Sequence, residues 1–161
     1  MMLTVSLALS VFVMHGHTSL EVSGESQIRA LLHKSRPSAK WDVKSLIKLD
    51  FDGDGNDDYA VVGVESKTVH VAVVMGPISH KSSVNILTFA IDPGLQKAIC
   101  GLPAVLEPEP LTYTPQDVGM DTIADYLPNK RAVGLRLSGG DCDKVHLYWS
   151  ESRKAMLWWR H

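Results

Sequence analysis

Apolar and polar residues alternate with a period of two along much of the chain beyond residue 40, which is the pattern of half-buried β-strands. In residues 68–75, for example, Val69, Val71 and Val73 would share one face of a strand and leave His70 on the other. Patterns of this kind predict strands at residues 44–49, 59–65, 68–75, 85–91, 132–138, 144–150 and 154–160. Only short turns separate the last three, so we expect an antiparallel meander there.

One segment has helical spacing instead. In residues 23–34, Ile28, Leu31 and Leu32 recur at the intervals that place side chains on one face of a helix. The sequence therefore predicts a mainly β fold, an antiparallel meander in a small β-sheet domain, with one short N-terminal helix. No linker divides the chain, so residues 21–161 are predicted to form a single domain.

Residues 101–128 contain five prolines, and we expect mostly irregular surface structure in this segment. Glu107 and Glu109 lie two positions apart, which would place them on one face of a strand. Pro108 and Pro110 argue against a strand here because proline cannot donate a ladder hydrogen bond. The two glutamates are therefore predicted to lie on a surface loop.

The N-terminal run suggests export. Residues 1–14 contain no charged side chain and are nearly all apolar. The run is too short to span a bilayer, but it has the length of the apolar region of a signal peptide. We predict that residues 1–20 are a signal peptide and that the protein is periplasmic or secreted and not membrane-spanning. The alternative for the same run is a buried N-terminal strand.

The chain has two cysteines, Cys100 and Cys142. An exported protein with two cysteines usually pairs them, so we expect a Cys100–Cys142 disulfide bond. In a cytosolic protein they would be two free thiols. The spacing fits neither a C-x-x-C redox motif nor a zinc site.

The net charge of the 161-residue chain is −2, and much of its negative charge is concentrated in one stretch, LDFDGDGNDDYAVVGV, residues 49–64. The lysines and arginines are scattered and form no basic cluster, so we expect no binding of nucleic acid. Carboxylates crowded beside an apolar strand repel one another unless a cation neutralises them. This stretch is therefore the strongest candidate for a metal site.

Counting Asp50 as position 1, carboxylates occupy positions 1, 3, 5, 8 and 9, and a glycine at position 6 permits a sharp turn. Several hard oxygen ligands suit Ca²⁺ best, whereas Mg²⁺ prefers fewer protein ligands and more water. Asp57 is expected to point to solvent. The predicted calcium ligands are Asp50, Asp52, Asp54, Asn56 through its main-chain carbonyl, and Asp58. The alternative is a solvated acidic turn without a bound ion.

An EF-hand is excluded because position 12 is Val61, where that motif requires a bidentate glutamate, and because the flanking segments are predicted strands. The stretch LDFDGDGNDDYAVVGV instead resembles the loop-and-strand unit of FG-GAP and VCBS-type repeats. That resemblance implies an antiparallel meander resembling a propeller blade, with a calcium ion held between its strands. The chain carries one such unit, so it is too short for a complete propeller.

The later run GGDCDKVHLYWSESRKAMLWWRH is similar to the closing strands of small exported bacterial proteins built on one such unit. Some of these are similar to periplasmic lysozyme inhibitors and to immunity proteins against secreted peptidoglycan hydrolases. The resemblance implies a protein partner of this kind, and insertion of a short Ser/Gly loop into the hydrolase cleft. Ser138, Gly139 and Gly140 are the candidate loop, and a plain hairpin turn is the alternative.

A second candidate interface is the segment 119–129, which includes Asp121 and Tyr126. An exposed tyrosine on an irregular loop makes a good anchor in a protein interface. Tyr126 is the candidate anchor of this surface, and the alternative is that it only packs inside its own protein, as most such tyrosines do.

The sequence contains no recognised catalytic motif, so we expect a non-enzymatic protein. The histidines beyond the signal region, including His70 and His146, are expected to pack or to be solvated. Two alternatives to a protein-binding role remain. One is carbohydrate binding on Trp149, Trp158 and Trp159, because aromatic faces stack on sugars. The other is a structural envelope protein stabilised by calcium.

Overall fold

A computed structural model describes residues 18–123, 125–126 and 128–161, with side chains described from residue 24 onward. Two short 3-10 helices occupy Val43–Ser45 and Pro115–Val118. The other elements are, in chain order, α1 (Thr18–Ser35), β1 (Lys40–Trp41), β2 (Ile47–Leu49), β3 (Asp58–Glu65), β4 (Thr68–Val74), β5 (Asn85–Ile91), β6 (Ala98–Ile99), β7 (Val105–Pro110), β8 (Val133–Ser138), β9 (Val145–Ser150) and β10 (Ala155–Trp159).

The strands of the described residues form two sheets. The first has the order β1-β3-β4-β5-β6, and β2 pairs with β3 as well. Its strands are antiparallel, except that β6 runs parallel to β5. The second sheet is an antiparallel meander of β7, β8, β9 and β10 in sequence order.

The two sheets pack face to face around the largest hydrophobic cluster. Val69, Val71 and Val73 of β4 face this cluster from the first sheet, and Leu135 and Leu137 face it from the second, all essentially inaccessible to solvent. The alternate positions of β4 face the other way, because successive side chains of a strand point to opposite sides of the sheet. The predicted alternation of this strand is therefore confirmed.

Both outer faces of the sheet pair are also covered. Helix α1 lies against the first sheet, where Ile28, Leu31 and Leu32 pack in a cluster with Val61, Ala72 and Val74. The segment after β7 covers part of the second sheet and forms a separate cluster there. Leu111, Tyr126 and Ala132 of this segment pack in it with Tyr148 and Trp159. Each sheet therefore buries apolar side chains on both faces, so several of its strands have little polar surface.

The prediction of a mainly β fold with one short helix is confirmed. The helix begins at Thr18, five residues before the predicted start. The predicted signal peptide, residues 1–20, falls almost entirely outside the described residues. Among the residues that the structure describes, no helix combines the length and the apolar character needed to cross a membrane.

The prediction that Glu107 and Glu109 lie on a surface loop is wrong. They belong to β7, an edge strand that pairs only with β8 within the described sheet. An edge strand uses one side of its backbone for pairing, so Pro108 and Pro110 can leave their missing N–H groups on the unpaired side. The period-two spacing therefore does place the two glutamates on one face.

Candidate functional site

The acidic loop connects β2 to β3 and closes an antiparallel pair. Phe51 is completely buried in the core between the sheets and fixes the start of the loop. Gly53 and Gly55 have φ angles of 80° and 90°, in the left-handed region that glycine adopts without a steric penalty. The alternation of glycine with aspartate thus produces a tight bend that turns the carboxylates of Asp50 and Asp52 inward.

Two of the aspartates hold this bend in place through backbone N–H groups. Asp50 accepts hydrogen bonds from the N–H groups of Gly53 at 2.7 Å and Gly55 at 2.8 Å. Asp58 accepts from Phe51 at 2.7 Å and Gly76 at 2.8 Å, and only 1% of Asp58 is exposed. The Asp58 carboxylate therefore ties together the acidic loop and the turn after β4.

Carboxylate oxygens of Asp50, Asp52 and Asp58 all lie within 4.8 Å of one another. A carboxylate offers about four lone-pair sites, so these groups keep acceptor capacity beyond their backbone hydrogen bonds. Burial raises the pKa of Asp52 and of Asp58, and the neighbouring carboxylates raise both further. Negative charge is thus unfavourable at this point, and hard oxygen donors in such a group suit a divalent cation such as Ca²⁺.

The other two predicted ligands lie differently. The Asp54 carboxylate accepts hydrogen bonds from the Asn56 backbone N–H at 2.7 Å and from its side-chain amide at 2.9 Å. These bonds, the side-chain bond first, lower the pKa of Asp54. Asp54 is not part of the three-carboxylate group, and the ligand roles of Asp54 and Asn56 stay predictions. Asp57 points to solvent as expected and pairs with Lys48 at 3.1 Å.

A distant segment of the chain lies over the acidic loop. The backbone N–H of Val133 donates to the Asp50 carbonyl at 3.1 Å. A Cβ on Gly53 would approach the Asn129 amide nitrogen to 3.0 Å and the Arg131 Cβ to 3.3 Å. The start of β8 therefore packs on the bend, which links the candidate metal site to the second sheet.

The expected disulfide between Cys100 and Cys142 is confirmed, with 5.5 Å between the two Cα atoms. It lies beside the candidate Ser/Gly loop. The carbonyl of Gly139 accepts hydrogen bonds from the N–H groups of Cys100 at 2.9 Å and Gly101 at 3.2 Å. Gly139 is buried, and a Cβ there would lie 2.5 Å from the Gly101 carbonyl oxygen.

The three residues of this loop therefore differ in accessibility. Ser138 is the last residue of β8 and pairs with Val105. Gly140 and the following Asp141 are exposed, and Gly140 has a φ of 69°. The chain thus projects at Gly140 and Asp141, while the base of the loop is held by the disulfide and by main-chain hydrogen bonds.

Tyr126 packs inside its own protein, the alternative given for it above, and only 9% of the residue is accessible. Its ring packs edge to face on Tyr148 at a centroid distance of 4.9 Å, and its hydroxyl donates to the Tyr113 carbonyl at 2.6 Å. Asp121 is exposed. The neighbouring Asp125 bonds to Arg153 at 2.7 Å, so the 119–129 segment is anchored on the second sheet through aromatic packing and an ion pair.

The three tryptophans do not form one exposed platform. Trp158 and Trp159 are consecutive on β10 and therefore point to opposite faces of the sheet. Trp158 packs edge to face on Phe89 at 5.5 Å, and Trp159 is buried on the outer side. The Trp149 indole N–H donates to Glu151 at 3.2 Å.

A polar cluster that sequence reasoning did not find lies on the outer face of the second sheet. Glu109, of which only 7% is exposed, accepts a hydrogen bond from the Tyr113 hydroxyl at 2.8 Å and contacts His146 Nδ1 at 2.7 Å. The period-two spacing of Glu107 and Glu109 was the available signal. The adjacent prolines argued against a strand, because a strand accepts proline only where the missing N–H is not needed for pairing, as on the open side of the edge strand β7.

The chain matches no protein-family model, and no curated protein or solved structure is significantly similar to it. The resemblance to FG-GAP units and to inhibitor and immunity proteins therefore stays a prediction that rests on the quoted residues.

Proposed function

We propose that this chain is an exported, calcium-stabilised β domain that acts by binding another protein and not by catalysis. The observation that carries the calcium part is the convergence of Asp50, Asp52 and the buried Asp58 within 4.8 Å. A cation at this point would offset the repulsion among the three carboxylates and strengthen the bend between β2 and β3. The disulfide supports the exported location, because such bonds persist in oxidising compartments.

The proposed role of the ion is structural. Extracellular-type calcium sites have dissociation constants of about 10⁻⁴–10⁻³ M, which at about 1 mM Ca²⁺ gives roughly 0.4–1.4 kcal/mol of stabilisation. The three carboxylates lie where β2, β3 and the turn after β4 meet. A modest gain there would keep the hairpin closed against the second sheet.

Calorimetric titration of the protein with CaCl₂ tests this part directly. We expect saturable heat and a melting temperature that falls when a chelator is added. Titration with MgCl₂ is the matched control, and it should give a weaker response because Mg²⁺ retains its water. Absence of heat from CaCl₂, together with a melting temperature that the chelator leaves unchanged, would overturn the calcium assignment.

The partner we propose is a lysozyme-like cell-wall hydrolase, which makes the protein an inhibitor or immunity factor. The anchored loop around Gly140 and Asp141 supports this proposal, because a loop that is already ordered pays little conformational entropy when it binds. The Cys100–Cys142 disulfide and the two hydrogen bonds to the Gly139 carbonyl supply that order.

Inhibition assays with a panel of peptidoglycan hydrolases test the partner assignment. Asp141→Lys reverses a charge at the projecting tip and should weaken inhibition at least about tenfold, since like-charge or mismatched contacts at an interface cost several kcal/mol. Asp121→Lys makes the same change on the other candidate surface and should leave inhibition unchanged. The opposite pattern would place the interface on segment 119–129, and no complex with any hydrolase would refute the inhibitor proposal.

A further inference from the structure

A line of side chains crosses the outer face of the second sheet and is used by neither proposal above. Glu107, Arg136, His146 and Trp159 are register partners on β7, β8, β9 and β10, so they share one face in a single row. A cavity of ≈ 540 Å³ opens beside this row. Its wall includes Arg136, Lys144, His146 and His161, and hence four basic side chains.

The His146 ring is held in one orientation. Its Nδ1 lies 2.7 Å from a Glu109 carboxylate oxygen and 2.9 Å from the Tyr113 hydroxyl, and the ring stacks on Trp159 at 4.1 Å. A carboxylate oxygen only accepts hydrogen bonds, so Nδ1 carries the hydrogen. Nε2 is therefore the ring nitrogen that is left to interact with a ligand; it accepts a hydrogen bond in the neutral ring and donates one to an oxyanion only when the ring carries both protons.

Glu109 is ionised in this arrangement and is already satisfied. Burial raises the pKa of Glu109, but the hydrogen bonds from His146 and Tyr113 outweigh burial and hold the pKa below its usual value. One of its oxygens accepts a hydrogen bond from the Tyr113 hydroxyl, and the other accepts one from His146 Nδ1. Asp143, which is exposed, is the other carboxylate in the wall of the cavity.

Arg136 has donor capacity in excess of its partners. One terminal nitrogen donates to Glu107 at 2.8 Å. The Arg136 Nε is buried and has no hydrogen-bond partner among the residues that the structure describes. A guanidinium group has five N–H donors in a planar fork that matches the geometry of carboxylate and phosphate groups. The Nε atom is inaccessible to solvent while the side chain as a whole is 34% exposed, so a ligand in the cavity would meet the terminal N–H groups, which favour negatively charged oxygens.

We propose that this cavity binds a small molecule through an oxyanion group, a carboxylate or a phosphate, with Arg136 and Lys144 as its charged partners and the oriented His146 ring beside it. The site is separate from the acidic loop. It adjoins the loop at Gly140, because Cys142 and Asp143 line its wall, so it is tested through Arg136 and Lys144 and not through Asp141. Its charged donors come from β8 and from the turn before β9, which the disulfide at Cys142 braces.

Titration of the ¹⁵N-labelled protein with sodium acetate in one arm and sodium methyl phosphate in the other tests the proposal by NMR. Ionic strength is held constant with NaCl. We expect saturable shifts of the His146 ring and Arg136 Nε–H signals, with a dissociation constant on the order of 1 mM in at least one arm. Saturation by acetate alone identifies a carboxylate ligand, and saturation by methyl phosphate alone identifies a phosphate ligand.

Three variants assign the contacts. Arg136→Gln and Lys144→Gln should each weaken binding about tenfold, the loss expected for one charge-assisted hydrogen bond. His146→Asn keeps an N–H donor for Glu109 but removes Nε2 and the ring that stacks on Trp159, so it should weaken binding and lower the melting temperature modestly. Lys81→Gln, which removes an exposed lysine beyond β4, is the charge-matched control and should bind as the parent does.

Several results would overturn the proposal. They are the absence of saturable shifts in both arms, equal shifts on adding NaCl alone, or equal affinities for Lys144→Gln and Lys81→Gln. If Arg136→Gln fails to fold, the comparison of Lys144→Gln with Lys81→Gln still tests the proposal. Both lysines are exposed, so their replacement leaves the packing intact.

Discussion

Replacement of Asp58 with asparagine separates the two roles proposed for the acidic loop, backbone bracing and cation binding. The Asp58 carboxylate is buried and accepts one backbone N–H on each oxygen, from Phe51 and from Gly76. Asparagine has the same shape but only one side-chain oxygen. One N–H therefore keeps its acceptor, and the other meets the side-chain NH₂ group, which is itself a donor.

The cost of Asp58→Asn follows from these contacts. A hydrogen bond to a charged group contributes about 1.5–3 kcal/mol, and a buried N–H left without an acceptor costs about 1–3 kcal/mol. Loss of one negative charge relieves repulsion with Asp50 and Asp52, which offsets part of this cost. We therefore expect the free energy of unfolding to fall by about 2–4 kcal/mol, and the calcium-dependent part, about 0.4–1.4 kcal/mol near 1 mM Ca²⁺, to disappear.

Urea unfolding followed by tryptophan fluorescence, once with CaCl₂ and once with a chelator, measures both quantities. The control is Asp57→Asn, the adjacent aspartate, whose side chain is 61% exposed and pairs only with Lys48 among the contacts described. An exposed ion pair contributes about 0–1 kcal/mol, so this variant should lose little stability and keep its calcium response. If Asp58→Asn behaves like Asp57→Asn, or keeps a full calcium response, the proposed role of Asp58 is wrong.

Three further predictions concern stability. Replacing both disulfide cysteines with serine should lower the free energy of unfolding by about 4 kcal/mol, measured in urea, because the crosslink closes a long loop. Burial lowers the pKa of His70, so the unfolded chain binds more protons near pH 6 and stability should decrease as the pH falls through about 6.5. His70→Gln should flatten that dependence, and His33→Gln, on an exposed helix position, should not. Gly63→Ala would place a Cβ 2.5 Å from the Trp41 ring, and we expect a loss of about 1–3 kcal/mol by thermal unfolding; an unchanged melting temperature would contradict this packing.

The candidate metal site was largely predictable because its information is local. Aspartates and glycines alternate within nine residues, and the bend that they form brings Asp50, Asp52 and Asp58 together, although Gly76 and Val133 also brace it from distant segments. The position of Asp54 was less predictable, because its carboxylate can bond either to a shared ion or to Asn56, two residues further along.

The cluster of Glu109, Tyr113 and His146 was not predictable in this way. Its members lie up to 37 residues apart, and they meet only because β7 pairs with β8 and β8 pairs with β9 in a particular register. A shift of one residue would turn either side chain to the opposite face. The burial of Tyr126 was undecided for the same reason, since it depends on the outer face of a sheet formed by other segments.

The sequence by itself determined the helix, the acidic bend and most of the longer strands, because hydrophobic periodicity and glycine-permitted turns act over a few residues. Only the tertiary structure decided that the strands divide into two sheets, that the proline-containing segment 105–110 is an edge strand, and that a histidine meets a buried glutamate. Those outcomes depend on strand register and on which faces become covered, and both are set by packing between residues distant in the chain.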